Sequence, residues 1–430
     1  MFNNVIYKDK DMKISTLAEG LKGSEIIKIA GEVVTLKAKG EVVYNQTIGD
    51  FDSKIFPIPE ELELAIVSAY KDNQTNYPTA NGMLVLRQSV SSYLSKNLGL
   101  DYSENEILIS GGARPLIYSI YQTILDVDDT VLYPVPSWNN DAYTYLARNK
   151  AIVVETLPEN KFMPTVNDIK PHIEDVNLIA LCSPLNPTGT TFDRETLLEI
   201  SQLILEENKR RAVLNLKPLY VLYDQIYWQL TYGDTVHYNP VELVPEMRDY
   251  TIFVDGISKA FAATGVRVGW AFGPELIMNK MKAMLSHIGA WSPKAEQMAT
   301  ASYLQQSEAV KMYLENFKSE LNERLVTFHE GFKDLYKKGY SVHAIQPEAA
   351  LYLTVQFDLI GKKTEQGEVL NTIKEVTSYL LKEAKLAIVP FYAFGTTLDS
   401  NWFRLSVGTA KKEDIPTIFG LLEKALQKLS

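Results

Sequence analysis

Between residues 107 and 256 the chain alternates short apolar runs with longer stretches whose apolar residues recur at helical spacing. The runs at 107–109, 130–133, 151–156, 178–182, 219–223 and 251–254 are nearly continuous rather than alternating, as expected of strands buried on both faces. Helical patterns follow at 113–125, 140–148 and 193–211. Strands alternating with helices predict an α/β fold: a mostly parallel central sheet with helices on both faces. A further apolar run, 268–272, follows closely on the last of these strands.

The flanks read differently. Residues 1–21 are polar and read as an arm. Ser24 is placed to cap a helix over 24–39, with Ile26, Ile29, Ala30 and Val33 on one face and Gly40 as its stop. An extended segment is expected at 46–52, a helix opening at Pro59, a breaker-rich loop at 76–82, and a helix over 82–98 with Leu84, Val90, Tyr93 and Leu94 facing inward. Beyond 293 the pattern predicts one long helix to about 335, with Leu304, Val310, Tyr313, Leu314, Phe317 and Leu321 in its core face. A strand with one solvated face is expected at 350–356, a helix at 367–385, strands near Leu386 and Phe403, and a last helix from 412. This divides the chain into 1–59, an arm and part of a small domain; 60–300, a large domain; and 301–430, an interdomain helix and the rest of a small α+β domain.

Composition narrows the function. The 430 residues carry a net charge of −10, with 46% hydrophobic and 22% charged residues, an ordinary globular balance. An acidic chain lacks the cationic face that nucleic-acid binding requires. No apolar run approaches a membrane span and the first residues lack a signal-peptide pattern, so a cytoplasmic protein is expected. One cysteine, Cys182, excludes an intrachain disulfide, and five scattered histidines make a metal site improbable.

The chemistry-bearing residues gather at predicted strand ends, where open parallel sheets bind ligands. Gly111-Gly112-Ala113-Arg114 joins a strand to a helix, so backbone N–H groups and the helix dipole converge as an anion site. Trp138 follows the next strand. Ser183-Pro-Leu-Asn186-Pro-Thr-Gly189 is a rigid turn that presents Asn186. Asp224, with Tyr227 three residues on, ends an apolar strand and needs a cation there. Asp255-Gly-Ile-Ser258-Lys259 places a lysine among small and apolar neighbours, where desolvation lowers an amine's pKa and favours Schiff-base formation. Arg267 follows eight residues later. Arg404 lies inside the apolar strand Trp402-Phe-Arg-Leu405 and needs an anion, either an internal carboxylate or a ligand's.

Taken in order, the Ser-Pro-x-Asn-Pro-Thr-Gly turn, the Asp-x-x-Tyr pair and the Ser-Lys-x7-Arg-x-Gly run resemble the fold-type-I pyridoxal-phosphate enzymes, and among them the class I/II aminotransferases of the bacterial aspartate type. The likeness extends from Gly49 to Arg404. It implies pyridoxal 5'-phosphate as cofactor, bound as a Schiff base to Lys259, which then moves the proton at the substrate's Cα. It implies Asp224 on the pyridinium nitrogen, Asn186 and Tyr227 on the ring's phenolate oxygen, and Trp138 stacked on the ring. The phosphate would rest on Gly112, Ala113 and Arg114, with Ser258 and Arg267, and Tyr77 would reach it from the second subunit of a homodimer. Arg404 would clamp the substrate α-carboxylate with Asn186 and the Gly49 backbone, and Arg114 would meet a second carboxylate.

The implied reaction is ping-pong transamination between an L-amino acid, aspartate or glutamate favoured and aromatic ones allowed, and a 2-oxo acid. A β-eliminating lyase or related synthase would share the same cofactor residues. A cofactor-binding transcriptional regulator would need a DNA-binding domain ahead of this pattern, where only about 20 arm residues precede the first helix. Three positions depart from the family pattern. Gly256 stands where many members have a phosphate-binding serine, Gln225 replaces a common glutamate, and Phe391 and Tyr392 replace a glycine and a small residue and are expected either to narrow the entry or to favour a bulkier side chain.

Overall fold

The computed structural model describes residues 13–21, 23 and 25–430. The expected cap Ser24 and residues 1–12 of the expected arm lie outside the described residues, and residues 16–20 form a short helix. Thirteen strands are seen among the described residues. Strand β1 (Tyr44–Asn45) comes first. The large sheet follows: β2 (Ile107–Ser110), β3 (Thr130–Val135), β4 (Lys150–Glu155), β5 (Leu178–Cys182), β6 (Tyr220–Asp224), β7 (Thr251–Gly256) and β8 (Gly269–Phe272). The remainder are β9 (Val342–Ala344), β10 (Tyr352–Phe357), β11 (Leu386–Ala387), β12 (Val389–Pro390) and β13 (Trp402–Ser406).

The seven-stranded sheet has the order β2-β8-β7-β6-β5-β3-β4. All its pairings are parallel except those of β8, which runs antiparallel to both β2 and β7. Strands β2, β7 and β8 are buried along their whole length, as the unbroken apolar runs require. The chain passes outward from β3 to β4 and then returns to β5 on β3's other side. The crevice at this reversal opens beyond the strands' carboxyl ends.

A four-stranded antiparallel sheet, β12-β13-β10-β9, forms the second layer system. Strand β10 was expected to have one solvated face, but five of its six residues are buried and the sixth is half-buried. One face packs on the helix Ser307–Lys337, and on the other Thr354 donates its hydroxyl to the Thr188 carbonyl at 2.9 Å. The single long helix expected from 293 is two: Lys294–Leu304 and Ser307–Lys337. No glycine or proline lies at the break. The first helix packs on the helices Glu60–Lys71 and Leu84–Leu98, and the second on the small sheet, so divergent tertiary partners separate them. In the helix Leu84–Leu98 the buried face is Leu86, Val90, Tyr93 and Leu94, and Leu84 is exposed.

The N-terminal segment is tied to the small sheet. Strand β1 pairs in parallel with β11, and the Gln46 carbonyl accepts the Ser406 N–H at 2.9 Å. That docking carries residues 47–50 across to the carboxyl-end crevice of the large sheet.

Candidate active site

The crevice holds a cavity of about 660 Å3 to which both sheets and the N-terminal segment contribute. One end of it is built by β2 and the helix Ala113–Ile124. Gly112 caps that helix with φ 96°, a conformation L side chains rarely adopt. A Cβ there would lie 2.0 Å from an Arg267 guanidinium nitrogen. Arg267 itself donates to the Gly111 carbonyl at 2.7 Å and the Thr264 carbonyl at 2.6 Å. It reaches this rim because β8 runs antiparallel, which puts the residues preceding its amino end beside the others' carboxyl ends. Burial lowers the Arg267 pKa, and the neighbouring charge of Arg114 adds to the effect. Ala113, Arg114, Ser258, Thr264 and Arg267 all line this end of the cavity.

Lys259 follows β7. Its amine donates to the Gly49 carbonyl at 2.6 Å. Burial brings its pKa down to about 8; Asp50 opposes that shift, while Arg404, Arg114 and Arg267 add to it. Asp224 ends β6 and accepts the Ile226 N–H at 3.1 Å. Burial pushes its carboxyl up to about 6, against the Ile226 hydrogen bond and the charge of Lys259. Tyr227 shares a hydrogen bond of 2.8 Å with Tyr352, and burial raises both phenols.

Arg404 lies in the middle of β13, 2% exposed. It donates to the Asn186 side-chain oxygen at 3.0 Å and to the Thr47 carbonyl at 2.7 Å, while its Nε is buried without a partner. The rings of Tyr352 and Phe394 face the guanidinium at 4.6 and 4.9 Å. Among the described residues no carboxylate pairs with it, so the internal-partner alternative has no support. Gly49 must be small here: a Cβ would lie 2.8 Å from the Tyr352 hydroxyl and 3.5 Å from Arg404. Trp138 also lines the cavity, with the Arg114 guanidinium 4.5 Å over its ring.

Of the residues singled out in the sequence, Gly49, Ala113, Arg114, Trp138, Asn186, Asp224, Tyr227, Ser258, Lys259, Arg267 and Arg404 line this one cavity, and Gly112 caps its edge. Tyr77 does not. It is 82% exposed, edge-on to the Trp291 ring at 5.3 Å. Cys182 also lines the cavity, its thiol donating to the Pro184 carbonyl and held neutral by burial and the charge of Asp224. Sequence reasoning missed Tyr352, which read as one residue of an alternating strand, and Asp50, whose only signal was an acid beside Gly49. Ile26, expected on one helix face with Ile29, Ala30 and Val33, is half-buried against the Phe162, Val389, Phe391 and Phe394 cluster and also lines the cavity.

The structure explains the Gly256 departure and locates the others. A Cβ on Gly256 would lie 2.8 Å from both the Gly269 Cα and the Val268 carbonyl oxygen, so the close pairing of β7 and β8 requires glycine. Gln225 is fully buried. Phe391 does not narrow the entry. It is buried against Phe162 and Phe394, away from the cavity lining, while Tyr392 lines an adjoining cavity of about 970 Å3.

The sequence profile of the aminotransferase class I and II family matches residues 47–418, from the Arg404-anchoring Thr47 into the last helix. The chain belongs to the class I and II aminotransferases. It is 29% identical over 421 residues to the aspartate aminotransferase of Bacillus subtilis, covering 97% of this chain and 98% of that one. It is 28% identical over 404 residues to the probable aspartate/prephenate aminotransferase of Rickettsia felis, with 93% of each chain covered. The aspartate aminotransferase of Rhizobium meliloti superposes with a TM-score of 0.87 at 24% identity, over 97% of this chain and all of that one, which shows the fold.

Aminotransferases of this family are pyridoxal-phosphate dependent. The residues of this chain fit that cofactor. A helix N-terminus beside an arginine and a glycine that tolerates no side chain suits a phosphate. A buried carboxylate without an ion pair among the described residues suits a protonated ring nitrogen, and a partly desolvated lysine suits a carbonyl.

Proposed function

We propose that this aminotransferase exchanges the amino group of an L-amino acid, with aspartate and glutamate favoured, for the oxo group of a 2-oxo acid in two successive half-reactions. The observation that carries the reading is the convergence of Lys259, Asp224, Asn186, Tyr227 and Arg404 on one cavity from four separate segments. Pyridoxal phosphate, when bound, supplies an electron sink for the pair left as Cα loses its proton.

The chain's own residues do the rest. Lys259, with an amine pKa near 8, both takes and returns a proton close to neutral pH. Asp224, ionised above about 6, holds the ring nitrogen's proton. Asn186 and Tyr227 would hydrogen-bond the ring's phenolate oxygen, and Trp138 would face the ring. The Gly112, Ala113 and Arg114 backbone, Ser258 and Arg267 would hold the phosphate, and Tyr77 of a second copy would complete that cup in a homodimer. Arg404, with Asn186 and the Gly49 backbone, holds the α-carboxylate; its buried, unpartnered Nε marks capacity still free. Arg114 takes a second carboxylate. Its guanidinium sits over Trp138, and the names of the Bacillus subtilis and Rickettsia felis relatives point the same way.

Mixing the cofactor-loaded protein with aspartate or glutamate should change the cofactor's absorbance to that of its amine form, and adding a 2-oxo acid should reverse it. If no amino acid produces a spectral change, transamination is wrong. Arg114→Ala should lose aspartate and glutamate half-reactions selectively, and equal losses for all donors would remove Arg114 from side-chain recognition.

A further inference from the structure

The turn that presents Asn186 leaves β5 and is gripped in four places from the side of the small sheet. Arg404 donates to the Asn186 side-chain oxygen at 3.0 Å, and Thr354 donates to the Thr188 carbonyl at 2.9 Å. These two side chains come from directly paired positions of β13 and β10, so they stand side by side on one face. The Ala349 N–H donates to the Gly189 carbonyl at 2.9 Å. Gly189 permits that approach: its φ is 71°, and a Cβ would lie 2.4 Å from the Tyr352 carbonyl oxygen. The fourth grip is Glu348, one of whose carboxylate oxygens accepts the Thr191 N–H at 3.1 Å and the Thr191 hydroxyl at 3.3 Å.

Glu348 differs from the other three. Its second carboxylate oxygen is ion-paired with Lys161, which lies in the loop after β4. The Lys161 carbonyl in turn accepts the Thr190 hydroxyl at 2.8 Å, which leaves the Thr188 hydroxyl as donor to the Thr190 oxygen at 2.7 Å. Glu348 therefore ties together the loop after β4, the Asn186 turn and the approach to β10. Its own backbone is fixed as well, the carbonyl accepting the Tyr232 N–H at 2.9 Å. The Glu348 side chain is 15% exposed and that of Lys161 55%, so the ion pair adds little to overall stability. Its effect is on where the turn sits. Glu348, Lys161 and Thr191 do not line the active-site cavity, and the reaction proposed above uses none of them.

We propose that Glu348 is a positioning residue for carboxylate binding: by clasping Thr191 and Lys161 it holds the Asn186 turn against β10, so that the Asn186 amide and the Arg404 guanidinium meet the substrate in a fixed arrangement. The role rests on Arg404 and Asn186 holding the α-carboxylate, as in the function proposed above. Between the clasp and Asn186 the turn is closed on itself. The Leu185 N–H donates to the Thr190 carbonyl and the Gly189 N–H to the Leu185 carbonyl, both at 2.8 Å. A displacement at Thr191 is thus passed to Asn186 rather than absorbed by free chain. Because the Asn186 oxygen orients the Arg404 guanidinium, a loosened turn weakens carboxylate binding and leaves the Lys259 amine where it is.

The test separates binding from turnover in the full-length, cofactor-loaded protein. Glu348→Gln keeps one oxygen for Thr191 but sets an amide that cannot accept a proton against Lys161. It should raise KM for glutamate roughly three- to tenfold, the worth of about one hydrogen bond. The same variant should leave kcat within about twofold. Calorimetric affinity for succinate, a dicarboxylate with no amino group to transfer, should fall by the same factor as KM rises. Lys161→Met should act similarly, and the double variant should do no more than either alone, because both work through one clasp. Additive effects would mean two separate actions and overturn the proposal. So would an unchanged KM and succinate affinity in Glu348→Gln, or a fall in kcat as large as the rise in KM. If that variant does not fold, an unchanged KM and affinity in Lys161→Met overturns it. Succinate binding needs no turnover. A protein that transaminates no donor, yet binds succinate less tightly in Glu348→Gln, refutes the aminotransferase reading and supports the clasp. A competent transaminase in which Glu348→Gln moves neither quantity refutes the Glu348 role alone.

Discussion

Arg404 carries a fully charged side chain into the middle of a β-sheet, held by two neutral acceptors, two aromatic rings and no carboxylate among the described residues. Such a group is costly unless something anionic arrives. Arg404→Ala should therefore lower kcat/KM for amino acids by about two to four powers of ten, from the ~3–5 kcal/mol lost when a buried pair is broken. Arg404→Lys should recover only part, because an ammonium cannot grip a carboxylate with two parallel bonds. Steady-state kinetics with one donor checks both. Gly112→Ala places a methyl on the Arg267 guanidinium in a backbone conformation that disfavours side chains. It should weaken pyridoxal phosphate retention, measured by dialysis against absorbance, and cost of order 1–3 kcal/mol in stability. These residues were legible because each sits in a short local motif at a strand end. Tyr352 and Asp50 were not, since their neighbours on the chain say nothing about Tyr227 or Lys259 across the cavity.

At the level of elements, the pairing of β7 with β8 is the most constrained contact near the site. Gly256 and Gly269 face each other there, and a Cβ on Gly269 would lie 2.6 Å from the Gly112 carbonyl carbon. Gly256→Ser, which would supply the hydroxyl that the family resemblance leads one to expect, should destabilise the fold by about 1–3 kcal/mol through overpacking rather than improve phosphate binding. Urea unfolding and cofactor titration would separate the two effects, and a stable variant with tighter cofactor binding would refute this reading. The break at 305–306 and the covering of both faces of β10 were invisible in the sequence for a related reason. Periodicity reports which face of an element is apolar. It does not report that two helices of matching pattern dock on different layers, nor that a strand's polar-looking Thr354 is covered by the Thr188 loop.

For the whole molecule, stability should carry the signature of a histidine that the reaction does not use. His237 lies between the rings of Tyr223 and Trp228 with both ring nitrogens buried and unpartnered, and burial lowers its pKa to about 3. The unfolded chain protonates it below its ordinary 6.5, whereas the folded one does not until about 3. Its contribution is thus present above 6.5 and lost as pH falls, with a slope of up to about 1.4 kcal/mol per pH unit for one proton. Asp224 and Asp255, raised to about 6 and about 8, act with the opposite sign over their own ranges. The difference between wild type and His237→Phe isolates the histidine, and the variant should lose less stability between pH 6.5 and 4 in denaturant titrations. The exposed Tyr77 bears on assembly. If a second copy completes the phosphate cup, Tyr77→Phe should weaken cofactor binding in a dimer that stays intact by sedimentation.

Among the described residues no helix is long and apolar enough to cross a membrane. By itself the sequence determined the alternation that builds the large sheet, the strand ends that carry chemistry and the local motifs that identify the family, because each depends on residues a few positions apart. Only the tertiary structure decided that Gly49 lies against Lys259 with Asp50 in the same cavity, that Tyr352 meets Tyr227 and that Gly256 cannot be larger. Those facts depend on which segments pack together, 13 residues apart for Gly256 and Gly269, 125 for Tyr227 and Tyr352 and 210 for Gly49 and Lys259, and no local pattern encodes that.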